Sequence, residues 1–445
     1  MSKRNGMYLI LFLFSLILLG GCTSKEKAGS TEVEANEGED QQTEENKQSE
    51  DNEEPVTLTI ALPFGEDIFQ DRYGVIQEKL PDLNLEMVYF DGTSEGLEEL
   101  FASKTVPDIF NTGNVALLQE YDAILPMDEL IEKHGFDTSV IDPSIVTFLR
   151  SFNDEQSMIG ISDGASRYGL YYNKEIFDLF GVAYPDPDKP MTWDEVIELS
   201  RQLTGERNGT DYIGLEFNGN DFEPPLFQLA VNYTDPQTGE VQIADKPELL
   251  SFFNLVQDYY NIPGVEYNDT CFFCEKRAAM TVGWHGLFLW GWDDDVSNVE
   301  NMDIAPLPVW PDLPNTAPKL QGWPIMISSY SEHPDEAFQV LMEYVSEENQ
   351  LNMAKTVSAG PTTVYPKVLE NFAADHEFYD GKNVPALFAL DPALGEERRS
   401  AKWDAYVDID KAIEELATTD IDVPTLLRKL EEESTTKIQN AKDQE

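Results

Sequence analysis

Val56-Thr57-Leu58-Thr59-Ile60-Ala61-Leu62 alternates β-branched and apolar side chains, the period of a strand. Pro63-Phe64-Gly65 breaks it, and a helix is predicted through Tyr73 to Leu80, closed by Pro81. Leu83 to Phe90 reads as a second strand, Gly96 to Ser103 as a helix, and Pro107-Asp108-Ile109-Phe110 as a short buried strand. Strand, helix and strand in succession make a βαβ unit, so the fold class is α/β with a mostly parallel sheet. The alternation continues. Strands are expected at Met158 to Ile161, Tyr168 to Tyr172, Asp211 to Phe217, Ala278 to Gly283 and Trp323 to Ser328. Asn173 is placed to cap a helix over Lys174 to Phe180, with Gly181 as its stop. Thr192 precedes the helix Trp193 to Leu203 and has Glu195 three residues on, the spacing of a capping box. The C-terminal third reads as mainly helical, and no repeat of fixed period is evident.

Ahead of this body lie two segments of different character. Lys3 and Arg4, an apolar run from Met7 to Leu19, and Gly20-Gly21-Cys22 describe a secretory signal. The run is short of the ~20 residues that a membrane span needs. Leu18-Leu19-Gly20-Gly21-Cys22 resembles the bacterial lipobox, which implies cleavage before Cys22 and lipid on its thiol. The alternative is an ordinary signal with an incidental cysteine. Residues 23–55 carry twelve acidic side chains, three lysines and almost no large apolar groups. Such a stretch cannot bury enough surface to offset chain entropy, so it is expected to be a disordered, extended tether. The expected organisation is a signal at 1–22, a tether at 23–55 and a folded body beyond.

Of 445 residues, 84 are acidic and 30 are Lys or Arg, a formal charge of −54 that falls mostly on the body. Nucleic acid and anionic membrane are excluded as partners on that ground, and contact with membrane is expected only through a lipid anchor. After Cys22 only Cys271 and Cys274 remain. Outside the cell this pair can close as a local disulfide or stay as two thiols. Zinc would need two more ligands, and the four histidines are scattered, so no metal and no cofactor are expected.

The order of segments resembles extracellular solute-binding protein family 1, the maltose-type binding proteins that serve ABC importers. The resemblance rests on Val106-Pro107-Asp108-Ile109-Phe110, Ile124 to Ile131, Tyr168-Gly169-Leu170-Tyr171-Tyr172-Asn173-Lys174-Glu175-Ile176-Phe177 and Met191-Thr192-Trp193-Asp194-Glu195. It extends to Ala278-Ala279-Met280 with Gly283-Trp284, Ile304-Ala305-Pro306-Leu307-Pro308, and Glu336-Ala337-Phe338. The family implies a two-lobe, periplasmic-binding-protein-like α/β fold with discontinuous lobes and a multi-strand hinge. Crossings are expected near Gly164–Tyr168, Trp323 and Thr362, giving one lobe of 56–165 plus 324–362 and another of 166–323 plus 363–445. Gly322-Trp323, and Cys274-Glu275-Lys276-Arg277 before Ala278, depart from the family pattern and bear on its substrate assignments.

The resemblance also implies what the cleft holds: a small solute, expected to be a mono- or oligosaccharide, handed to importer subunits by a monomer lipid-anchored at the outer face of the cytoplasmic membrane. Sugar faces present C–H groups to aromatic rings and hydroxyls to polar side chains. Trp284 and Trp323 stand where the family places ligand contacts, with Trp403 and His285 as further candidates, each also readable as a packing residue. Phe64 and Glu66 follow the first strand. Thr112 and Asn114 belong to Asn111-Thr112-Gly113-Asn114, a binding loop or a turn plus helix cap. Arg167 and Tyr168 stand at the first crossing, and Asn220, Asp221 and Phe222 in a loop aimed at the cleft. Trp290, Trp292 and Trp310 read equally as core or loop staples. The chain shows no nucleophile elbow, zinc-protease helix or phosphate loop, so an enzyme is not expected. A cationic ligand, a carbohydrate-active enzyme and an adhesin or sensor are the alternatives.

Overall fold

The computed structural model describes residues 55–443, apart from 105, 218–220, 268–270, 272, 290–294 and 397–400. The expected signal, Cys22, the expected tether up to residue 54, Asn220, Trp290 and Trp292 lie outside the described residues.

Among the described residues twelve strands run in chain order: β1 Val56–Leu62, β2 Leu83–Tyr89, β3 Ile109–Asn111, β4 Ile161–Ser162, β5 Tyr168–Asn173 and β6 Gly205–Arg207. They continue as β7 Thr210–Phe217, β8 Ala278–Trp284, β9 Met302–Pro306, β10 Thr316–Ala317, β11 Pro324–Ile327 and β12 Asp391–Pro392. One five-stranded sheet has the order β2-β1-β3-β11-β4 and another β6-β7-β8-β5-β9, while β10 pairs with β12 alone. Each large sheet carries its own apolar core. Leu58, Ile60, Phe110 and Ile325 belong to the first, and Leu170, Trp193, Phe217 and Phe252 to the second. A third cluster, with Tyr171, Phe288, Val357 and Phe372, lies behind the second sheet.

The expected mostly parallel pairing is corrected to a mixed one. β1 is parallel to β2 and β3, as βαβ units require. β11 runs antiparallel to both β3 and β4, because it re-enters the first sheet from the other lobe. β5 likewise runs antiparallel to β8 and β9. In the second sheet β7 and β8 pair in parallel.

Local signals explain several elements directly. Thr192 accepts from the Glu195 amide at 3.2 Å, and the Glu195 carboxylate accepts from the Thr192 amide at 2.7 Å, so the capping box closes. Asn173 caps the helix Lys174–Phe180, and Gly181 ends it in the left-handed region at φ 67°.

The chain passes from one large sheet to the other between β4 and β5 and back between β9 and β11, and a third segment, at Gly360, lies beside the first passage. The Asp163 amide donates to the Trp323 carbonyl at 2.9 Å, and the Ala165 amide to the Gly360 carbonyl at 3.0 Å. The first crossing is therefore bonded to both of the others. Glycine is required where they touch. A Cβ on Gly322 would lie 2.0 Å from the Gly164 carbonyl oxygen, and one on Gly360 2.0 Å from that of Ala165. Among the described residues no helix is long and apolar enough to cross a membrane.

Candidate functional site

Between the lobes lies an open cleft of ≈1200 Å³. Its first-lobe wall is built at the carboxyl end of β3, the position where open α/β sheets place ligands. Asn114 caps the short helix Val115–Glu120, accepting from the Leu117 amide at 3.3 Å, and also lines the cleft. The loop's two readings therefore coincide in one residue. Thr112 is buried beneath it, with its amide donating to the Pro324 carbonyl at 3.2 Å.

Trp323 lines the cleft and is 43% exposed, unusual for an indole held by its own backbone. Its amide donates to the Asp163 carboxylate at 2.9 Å. Phe64 stacks on the indole with ring centroids 5.3 Å apart and planes 17° apart. Gly113 leaves room for the ring, since a Cβ there would lie 3.0 Å from the indole nitrogen. Phe148, Phe152 and Gln119 also line this wall.

The second lobe contributes Tyr168, at the start of β5, and Glu223, at the start of the helix Glu223–Leu229. Tyr168 donates to Glu223. Burial, then the neighbouring Glu223 and Asp221 charges, hold the Tyr168 phenol well above its usual range, so it remains a donor. Burial, then the charges of Asp221 and Asp410, push the Glu223 carboxyl up to about 7. Asp221 is raised as well, chiefly by burial. Past Glu223 and Phe227 the cleft meets a side pocket of ≈550 Å³, lined in part by Asp221, Phe222 and Asp410. Lys319 and Lys402 also line the main cleft.

The remaining expected site residues sit elsewhere. Phe64 backs Trp323 without lining the cleft, and Glu66 is solvent-exposed, accepting from Gln70 at 2.7 Å. Phe222 is 2% exposed and stacks on Phe217 with centroids 4.1 Å apart, so most of its ring serves the second core. Trp284 faces Tyr168 on the neighbouring strand but packs over Gly286 and beside His285. Arg167 is buried and its guanidinium pairs with Asp142 at 3.2 Å. His285 is buried behind it, with Nδ1 accepting from the Arg167 amide at 3.2 Å. Burial and the Arg167 charge push the His285 imidazole down to about 3, which keeps it neutral. Trp403 is buried against Gly239, with the Lys402 and Lys442 ammonium groups over its ring at 4.5 and 4.8 Å. Trp310 is also buried and donates to the Pro225 carbonyl at 2.9 Å. Thus Asn114, Tyr168 and Trp323 meet in the cleft, and Asp221 and Phe222 meet in its side pocket. Glu223, Phe227 and Gln119 were not singled out in the sequence.

Cys271 and Cys274 form a disulfide in the loop before β8. Among the described residues no group of three His, Cys, Asp or Glu side chains is placed to hold a metal ion.

Known proteins show the same architecture. UgpB of Rhizobium meliloti, an sn-glycerol-3-phosphate-binding periplasmic protein, is 32% identical over 108 residues, 23% of this chain and 24% of UgpB. The chain thus spans about a quarter of that relative's length. An arabinooligosaccharide-binding protein of Halalkalibacterium halodurans is 22% identical over 345 residues, 72% of this chain and 74% of that protein. A sugar transporter from Rhizobium etli, solved in an open conformation, superposes with a TM-score of 0.67 at 18% identity. That likeness covers 85% of this chain and 99% of the other, and at such identity it is one of fold. The profile of the bacterial extracellular solute-binding proteins matches residues 65–351. With that match running through both lobes and across the cleft between them, the chain belongs to the bacterial extracellular solute-binding protein family.

Proposed function

We propose that this protein captures a carbohydrate, an oligosaccharide rather than a single sugar, and delivers it to an ABC importer by lobe closure. One observation carries the reading. An exposed indole, Trp323, and a phenol–carboxyl pair, Tyr168 and Glu223, line the same interlobe cleft. A sugar ring offers an apolar face for the first and hydroxyls for the second. Asn114 and Gln119 supply further amide donors and acceptors. The cleft volume of ≈1200 Å³ suits a chain of several sugar units.

Solute bridging both lobes stabilises the closed form by its greater affinity for that form. Binding rather than turnover is the proposed activity. We place the protein at the outer face of the cytoplasmic membrane, anchored through lipid on Cys22 and joined to it by the acidic tether, as a monomer. The acyl chains hold it there by ~0.8 kcal/mol for each buried CH₂.

The test is a thermal-shift and calorimetry screen of the full chain against arabinotriose, maltotriose, glucose, choline and sn-glycerol-3-phosphate. At a hundred times its dissociation constant a true ligand adds ~2.7 kcal/mol of stability. A response confined to the saccharides, lost in Trp323→Ala with the fold intact, is expected. A response confined to the phosphate ester or to choline overturns the carbohydrate class.

A further inference from the structure

The Trp323 indole is 43% exposed in the cleft, so its angle is fixed by what holds its peptide and the underside of its ring. Two routes converge on it, and both begin at Arg72, in the helix Glu66–Lys79. By the first route, the Arg72 Nη1 donates to Asp163 Oδ2 at 2.8 Å, and Asp163 Oδ1 accepts from the Trp323 amide at 2.9 Å. The Asp163 amide in turn donates to the Trp323 carbonyl at 2.9 Å, so the Trp323 peptide is held on both sides. By the second route, the Arg72 guanidinium lies 4.8 Å from the centroid of the Phe64 ring, and Phe64 stacks on the indole. Tyr344 adds a bond to the Asp163 carbonyl at 2.7 Å, and the Asn349 amide one to the Arg72 carbonyl at 3.4 Å.

We propose that Arg72 is a positioning residue for solute binding: it locks the backbone and the ring of Trp323 to the first lobe, so that the indole is a fixed platform onto which the second lobe closes. The proposal rests on the reading of Trp323 as a ligand contact. Charge alone does not require arginine here. A lysine could neutralise Asp163, but only the planar guanidinium serves the carboxylate and the Phe64 ring together. Arg72 and Asp163 are both nearly buried, with side chains 11% and 10% exposed, so solvent does not loosen the link. Trp323 also occupies the second crossing and Asp163 the first, which places the lock on the hinge.

The experiment labels the tryptophans of the full chain with 5-fluorotryptophan and assigns the Trp323 ¹⁹F resonance by Trp323→Phe. Arg72→Lys keeps the positive charge beside Asp163. It is expected to shift and broaden the Trp323 resonance without ligand, leaving the other tryptophan resonances in place. Phe64→Leu, which cuts the second route while sparing the Arg72–Asp163 pair, is expected to do the same. Affinity for the saccharide found in the screen is expected to fall two- to tenfold in each, roughly what a lost ring pairing contributes. A Trp323 resonance unchanged in position and width in Phe64→Leu, or in a folded Arg72→Lys, overturns the proposal whatever the screen finds. Saccharide binding that survives Trp323→Ala overturns the ligand reading instead, and leaves the resonance result standing.

Discussion

Glu223→Gln tests the electrostatics of the cleft mouth. In the folded protein the Glu223 carboxyl titrates at about 7, against an ordinary value of 4.5. Burial is the first cause, and the Asp221 and Asp410 charges follow. The native state therefore holds this proton more tightly than the unfolded chain does. Stability linked to it is full below the unfolded value of 4.5 and is lost as pH rises through about 7. At 1.36 kcal/mol per pH unit, the separation of the two values corresponds to a ceiling of ~3.4 kcal/mol. Glu223 keeps more than a third of its surface in solvent, so burial is only partial, and screening reduces the effect to about 1 kcal/mol. Urea unfolding of both proteins at about pH 5 and about pH 8, at equal ionic strength, reads it. The glutamine variant is expected to gain about 1 kcal/mol on the parent between those two conditions. A difference between the proteins that stays the same at both pH values refutes the reasoning.

Two further outcomes follow from the hinge. Arg167→Leu strips the partner from Asp142 in a buried site, and a loss of about 3–5 kcal/mol is expected by urea unfolding. A loss below about 1 kcal/mol, the range of an exposed pair, counts against the buried-pair reading. Gly322→Ala puts a methyl group against the Gly164 carbonyl, and the crossing segments must part to admit it. A loss of about 1–3 kcal/mol is expected, and an unchanged midpoint shows that the segments already stand apart.

The α/β class was legible because its signals are local. The alternation in β1 and the Thr192–Glu195 box need no distant residue, and both stand in the structure. The direction of β11 was not legible, because nothing within Pro324–Ile327 says that it enters a sheet begun at residue 56. Trp323 was read as the first residue of that strand, whereas the strand starts at Pro324 and leaves the indole on the crossing segment. The residues of the cleft divide in the same way. Trp323 was singled out because the family resemblance places a ligand contact there, but Glu223 was one of 84 acidic residues. What distinguishes it is the phenol of Tyr168 and the charge of Asp410, both brought to it by tertiary structure. Phe222 shows the converse. Its loop was marked by the family resemblance, which implies an aromatic there, and such a ring serves equally well as a core staple, as Phe222 does on Phe217.

The place of β11 has a consequence for how the chain acquires its structure. β3 and β4 do not touch in the first sheet, since β11 lies between them and bonds to both. The first sheet is therefore incomplete until residues beyond 324 emerge, after every strand of the second sheet has already been made. Of the two large sheets, the one begun first is completed last, although the second core still awaits the helices at Ile409–Thr418 and Val423–Lys442. In the interval, the open flanks of β3 and β4 are unpaired edges of apolar strands, the kind of surface that aggregates or recruits chaperones. Contacts that span so much sequence form slowly. Refolding followed by a probe in β3 should lag behind a probe in β8, even though β3 comes earlier in the chain.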